Sequence, residues 1–184
     1  MVTANKKQGY KCCFTGYRPS KFPFSLDRNN KEYQKFDNAL VEELSALSAL
    51  GCHTFYSGMA MGFDIIAAET VLLLKQIYSY PLKLICVVPF SGQENTYTAY
   101  WRERYNRVLE LCDGVEVLSD TYTPGCYQKR NIYMVDNSDF VLTWYDGKSG
   151  GTKNTIDYAA RLGRQIFNIN KAHDISVQTC FAEL

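Results

Sequence analysis

Apolar positions along this chain follow two periodicities in alternation. Short apolar runs of strand length are separated by longer stretches in which apolar residues recur every three or four positions. Tyr10 to Thr15 is the first run and ends at Gly16. Phe36, Leu40, Leu44 and Leu47 then fall at helical spacing within Lys31 to Leu50, and Gly51 supplies a C-cap. His53 to Ser57 reads as a second strand. Phe63 to Tyr78 reads as a helix whose Ile65, Ile66, Ala68, Val71, Leu72 and Leu74 leave little polar surface, which predicts deep burial. Leu82 to Val88 is continuously apolar, as in a central strand covered on both faces, and Pro89 closes it. Thr98 to Cys112 carries Trp101, Tyr105, Val108 and Leu111 at helical spacing, and Gly114 breaks it before a short strand, Val115 to Leu118. A helix around Tyr127 to Val135, a strand from Phe140 to Tyr145, a helix from Thr152 to Leu162 with Gly163 behind it, and a last strand from Gln165 to Ile169 complete the pattern.

Strands separated by helices predict a mainly parallel sheet with right-handed crossovers, an α/β three-layer sandwich. Ligands of such sheets sit beyond the carboxyl ends of the strands, at the point where strand order reverses. The loops after Thr15, after Tyr56 and after Tyr145 all leave carboxyl ends and can share one crevice. Pro19 and Pro23 exclude a helix from the first of these loops. No repeat, low-complexity tract or linker divides the chain, so residues 1–184 are expected to form one domain, with residues 1–9 flexible.

Composition narrows the function classes. A hydrophobic content of 46% in 184 residues supports a sizeable core. The formal charge of +1, from 20 Lys plus Arg against 19 Asp plus Glu, provides no global field toward nucleic acid or anionic membrane, and nucleic acid is therefore not expected as a partner. Seven cysteines without a Cys-x-x-Cys pair fit reduced, buried thiols, and with only two histidines, His53 and His173, neither a zinc site nor a Ser-His-Asp triad can be assembled. Met1 to Gln8 lacks the apolar core of a signal peptide, and no run reaches the roughly 20 apolar residues of a membrane span. A cytoplasmic protein without metal or cofactor, and without a membrane partner, is expected.

The stretch with the most chemistry is Ser57-Gly58-Met59-Ala60-Met61-Gly62-Phe63-Asp64, a strand-to-helix turn. Gly58 and Gly62 bring bare backbone close together, and a helix opening here would aim N–H groups and its positive dipole end at a phosphate. The same glycines also serve a merely tight connection. A second glycine-rich turn spans Asp146 to Thr152. Together with Thr15-Gly16-Tyr17-Arg18-Pro19, the pair Arg130-Asn131, Ser138-Asp139 and Ser149-Gly150-Gly151-Thr152, this octapeptide resembles the SLOG superfamily of Rossmann-like proteins, specifically its YpsA-like branch. The likeness extends from Tyr10 to Ile169. It implies a Rossmann-like α/β fold and a nucleotide-like ligand, and it reaches two related families: DNA-processing protein A, which handles single-stranded DNA, and the LOG phosphoribohydrolases, which cleave the N-glycosidic bond of nucleoside monophosphates.

The match departs from the hydrolases where their chemistry resides. Aligned on Thr152, the positions of their paired glutamates are Asn154 and Thr155, so the acid that would assist ribosyl cleavage is missing there. Asp64 and Glu69 are the substitutes at hand, but at five positions apart on a helix they point about 140° from one another. Asp64 suits capping of the helix start as well as contact with a ribose hydroxyl. Arg130 falls on the arginine of the hydrolase motif, and Arg18 can pair bidentately with a phosphate or clamp carbonyls. The ligand-binding set expected on this reading is Gly16, Arg18, Ser57, Gly58, Met59, Ala60, Gly62, Asp64, Arg130, Asn131, Gly150, Gly151 and Thr152, with Arg130, Glu69 and Asp64 as catalytic candidates. Gln93, Tyr97, Tyr100 and Trp101 offer aromatic surface either for a base or for core and dimer contacts. Binding or sensing of a nucleotide-derived ligand leads, with an N-glycosidase and a single-strand binder as alternatives, and a homodimer is expected from the tyrosine-rich composition.

Overall fold

The computed structural model describes residues 9–78, 81–173 and 175; the expected flexible N-terminus, apart from Gly9, and Cys180 lie outside the described residues. Strands β1 (Tyr10–Gly16), β2 (Cys52–Ser57), β3 (Lys83–Val88), β4 (Gly114–Val117), β5 (Phe140–Trp144) and β6 (Gln165–Asn168) alternate with helices. The helices are α1 (Lys31–Ala49), α2 (Phe63–Tyr78), α3 (Ala99–Leu111), α4 (Cys126–Asp136) and α5 (Gly151–Arg161). All strand pairs are parallel, in the order β4-β3-β2-β1-β5-β6. This is the expected α/β Rossmann-like arrangement.

Local chemistry sets the element ends. Asn30 caps α1, its side-chain oxygen accepting from the N–H groups of Glu32 at 2.9 Å and Tyr33 at 3.1 Å. At the far end Gly51 adopts a φ of 94°, the left-handed turn that stops the helix. Helix α2 has the predicted bounds and buries ten residues, because it lies across β1, β2 and β3 and packs between α1 and α3. Phe63 at its start meets Phe14 edge-on at 6.4 Å, and Phe14 stacks on Phe55 at 5.9 Å. Side chains of α4 and α5 pack on the opposite face, around Cys13, Val87 and Val141.

Two short 3-10 turns depart from the sequence reading. Pro19–Lys21 forms one inside the loop where the prolines exclude an α-helix: Pro19 takes the first position, where its missing N–H is not needed. The other, Gln93–Thr96, follows Gly92 at φ 82°. Elsewhere the differences are single residues at element ends, such as Leu118, Tyr145 and Ile169, which lie just beyond their strands.

The topology places a site. From β1 the chain steps outward through β2, β3 and β4, and α4 then carries it back to β5 on the other flank of β1. Loops leaving β1 and β5 therefore diverge to opposite faces and open a crevice between them. Gly16 pairs with Trp144 at the carboxyl rim of these two strands.

Candidate functional site

Each wall of the crevice is fixed by a polar contact made elsewhere in the chain. The loop after β1 is pinned by Tyr17. Its ring packs against Trp144 at 5.3 Å, its hydroxyl donates to Asp146, and its carbonyl accepts from the Phe63 N–H at 3.1 Å. Arg18 is left exposed, with its guanidinium 5.6 Å from the centre of the Tyr127 ring. The turn after β2 is held from within. The Ser57 hydroxyl accepts from the Met59 N–H at 3.2 Å and donates to the Asp64 carbonyl at 2.9 Å. Met59 is fully buried with a φ of 58°, and its carbonyl accepts from the Gln93 amide at 3.1 Å and the Tyr97 hydroxyl at 2.9 Å. The Ala60 N–H donates to the Asp64 carboxylate at 3.4 Å.

Arg130 closes the floor. It is only 4% exposed, donates through Nη1 to the Gly58 carbonyl and through Nε to Asn131 at 2.8 Å, and lies 3.8 Å from Asp64. Asn131 donates in turn to Thr155 at 2.9 Å, and Thr155 to the Gly151 carbonyl at 2.9 Å, so α4 and the start of α5 are joined. Thr152 donates to the Gly16 carbonyl at 3.0 Å, which ties α5 to β1. Between these elements lies a cleft of about 360 Å³. Arg18 and Lys21 stand on one side, the uncapped start of α5 at Gly151 and Thr152 on another, and Asp64 with Arg130 at the bottom.

Eight of the residues singled out from sequence line this cleft: Gly16, Arg18, Ala60, Asp64, Arg130, Asn131, Gly151 and Thr152. Ser57, Gly58, Met59 and Gly62 are buried behind it. Two N–H groups of the turn into α2, where the sequence reading places a phosphate cradle, are taken up by the protein itself: Phe63 donates to Tyr17 and Ala60 to Asp64. The helix start that lines the cleft is that of α5. Gly150, expected in the ligand set, is not among the lining residues; it adopts φ 141°, with the Lys21 ammonium 2.8 Å from where a Cβ would stand. Glu69 is apart from the cleft, clamped through both oxygens by Arg104, whose guanidinium lies 4.4 Å from the centre of the Trp101 ring. Gln93 and Tyr97 brace the Met59 carbonyl, and Trp101 is core. Besides Thr15 and Tyr17, which flank Gly16 in the motif but were outside the expected ligand set, sequence reasoning missed Lys21 and Tyr127 as lining residues. Lys21 stands in the loop already singled out, and Tyr127 lies one turn before Arg130 on the same helix, so both carried a positional signal.

Burial raises the Asp64 pKa from 3.8 to about 6, and the charges of Arg130 and Arg18 and the Ala60 N–H offset only part of that rise. The folded protein thus holds this proton more tightly than the unfolded chain. The stability it contributes is complete below about pH 4 and is lost as pH rises to about 6. Urea unfolding of the wild type between pH 4 and 7 is expected to show a decline of about 2–3 kcal/mol that Asp64→Asn lacks. Equal profiles for the two proteins contradict this account.

Comparison with known proteins gives a family and a fold. The family model YpsA, described as the YspA SLOG family, matches residues 12–175. The uncharacterized SPbeta prophage-derived protein YoqJ of Bacillus subtilis is 32% identical over 146 residues, covering 72% of this chain and 84% of its own. A UPF0398 protein of Halalkalibacterium halodurans is 29% identical over 154 residues, covering 82% and 80%. Among solved structures, DNA processing protein A from Helicobacter pylori, described for its single-stranded DNA binding mode, aligns with a TM-score of 0.60 at 19% identity over 86% of this chain. The Streptococcus pneumoniae protein aligns with a TM-score of 0.55 at 18% identity over 87%. This chain spans 64% and 50% of those two chains, and the likeness is one of fold.

Proposed function

Because the chain belongs to the YpsA SLOG family, we propose that the cleft between the β1 and β5 rims binds a nucleotide or nucleotide-derived anion. The observation that carries this reading is the convergence of Arg18, Lys21 and the start of α5 on one small cleft. Phosphate oxygens fit against these cations and the Gly151–Thr152 backbone. The half-buried Tyr127 ring offers a stacking face for a base, and Asp64 an acceptor for a sugar hydroxyl. The Arg130 guanidinium is engaged with protein oxygens and orients Asp64.

A second reading, N-glycosidic cleavage, draws on Asp64 alone: a cleft carboxyl with a pKa of about 6 can deliver a proton near neutrality. Glu69 is too far engaged with Arg104 to share that role. Neutral net charge led to the expectation that nucleic acid is not a partner. The fold shared with a protein described as binding single-stranded DNA weighs against that expectation, so a DNA strand belongs among the ligands tested.

Thermal shift against nucleoside mono-, di- and triphosphates, cyclic nucleotides, ADP-ribose and a short single-stranded DNA decides among these. A nucleotide at a hundred- to thousandfold excess over its dissociation constant is expected to add about 3–4 kcal/mol, several degrees in melting temperature, and Arg18→Ala and Lys21→Ala to reduce that shift. Release of free base on incubation establishes the second reading. A shift with DNA and with no nucleotide overturns the first. The proposal extends to a cytoplasmic homodimer; among the described residues no helix is long and apolar enough to cross a membrane. Trp101 and Tyr105 point into their own core, so the α3 aromatic left for a partner is Tyr100, 58% exposed. A monomeric native mass at micromolar concentration overturns the dimer.

A further inference from the structure

Helix α2 packs against α1 on one side and α3 on the other, and a stripe along it, Ile66, Glu69, Thr70, Leu73 and Gln76, remains open between them. The stripe floors a cavity of about 290 Å³ that shares no residue with the cleft at the β1 and β5 rims. The α1 wall contributes Tyr33 and Asp37, one turn apart, and the α3 wall contributes Arg107; Arg28 joins them from the segment before α1. Walls of opposite charge thus face one another.

The protein leaves these groups unpartnered. Among the described residues, the Asp37 carboxylate and the Arg28 and Arg107 guanidiniums have neither an ion pair nor a hydrogen bond. The second carboxylate of the cavity, Glu69, is held by Arg104. Tyr33 is only 7% exposed and its ring packs on Phe36 at 5.8 Å, yet its hydroxyl has no hydrogen-bond partner among the described residues. A phenol this buried ordinarily has one. Burial, and after it the Asp37 charge, pushes the Tyr33 pKa up to about 12, so it stands at the cavity as a neutral donor.

We propose that this cavity binds a free α-amino acid with an apolar side chain, its ammonium group on Asp37, its carboxylate on Arg107 and Arg28, and its side chain against α2 and α3. The mixture of signs selects a zwitterion. A simple anion drawn by the two arginines meets Asp37 and Glu69, and a simple cation drawn by the carboxylates meets Arg28 and Arg107. An α-amino acid carries both charges on one carbon and satisfies both walls at once. Ile66, Leu72, Leu73, Val108 and Leu111 supply the apolar lining. Leu73 and Leu111 are each 48% exposed, surface that a bound aliphatic side chain covers. Burial also raises Asp37 above its ordinary value, with Arg28 and Arg104 offsetting only part of the rise, and an ammonium group is the partner this carboxylate lacks.

The test titrates the full chain with L-leucine, L-methionine and L-phenylalanine by thermal shift and calorimetry. Beside them run isopentylamine and isocaproate, which are leucine without its carboxylate and leucine without its ammonium group. Expected is a shift with at least one amino acid and none with the amine or the acid at the same concentration. Asp37→Asn and Arg107→Gln are each expected to weaken that binding about tenfold or more, the effect of removing a hydrogen bond to a charged group, while Arg18→Ala in the cleft leaves it unchanged. Both positions reach the surface, and the melting temperatures of the unliganded variants check that they fold. No shift with any of the three amino acids, an equal shift with the amine or the acid, or unweakened binding in either variant overturns the proposal.

Discussion

Arg130→Ala lowers the unfolding free energy by about 3–5 kcal/mol at pH 7, the cost of removing one partner from a buried ion pair. The guanidinium is almost inaccessible, so its loss leaves the Asp64 carboxylate buried without its nearest cation and strips the Gly58 carbonyl of its donor. Each orphaned group carries its own desolvation penalty. Asp64 can escape part of it by keeping its proton, so the variant is expected to recover stability on acidification to pH 5, and Asp64→Asn in the same chain is expected to restore a fraction at neutral pH. Denaturant midpoints of the two single variants and the double variant measure the coupling. An Arg130→Ala protein as stable as wild type would falsify the assignment of Arg130 to the floor of the fold and return it to the ligand.

Gly62→Ala is expected to cost roughly 3–5 kcal/mol, the sum of a left-handed backbone imposed on alanine and a steric collision. Gly62 has a φ of 94°, and a Cβ there would run into the Tyr17 carbonyl oxygen, which is itself bound to the Phe63 N–H. Backbone on both sides leaves nothing flexible to yield. Gly151→Ala is the matched control. No atom lies within 4 Å of its Cβ position and its φ is not positive, so the same chemical change one turn into the other glycine-rich segment is expected to be neutral or slightly stabilising. Equal losses at the two positions would show that glycine as such, and not its place in the fold, sets the cost.

The contrast between these glycines marks how far the sequence reaches. Helix α2 was legible to the residue, because an apolar surface this continuous has one place to go in an α/β sandwich, and the glycine turn before it marks where it begins. The separation of Asp64 and Glu69 was also legible, from the rotation per residue of a helix, and Arg104 takes up Glu69 on the far side. What the pattern did not carry was the direction of the Ser57–Gly62 backbone. Spacing says that a turn is tight; only packing against Tyr17, Gln93 and Arg130 decides that its polar groups face inward. Lys21 and Tyr127 went unmarked for a related reason. They come from a loop and a helix 106 residues apart in sequence, and their proximity follows from strand order rather than from local pattern. The Gln93–Thr96 turn escaped because a single 3-10 turn has no apolar period to detect.

The position of β1 also governs the order in which the chain can be completed during synthesis. One edge of β1 is paired by β2 soon after both leave the ribosome, whereas the other waits for Phe140–Trp144, more than a hundred residues later. Until then Cys12 to Gly16 offers a row of free backbone groups beside apolar side chains, the kind of open edge that recruits other strands. Nascent chains stalled between α3 and β5 are therefore the species most exposed to aggregation and to chaperone capture.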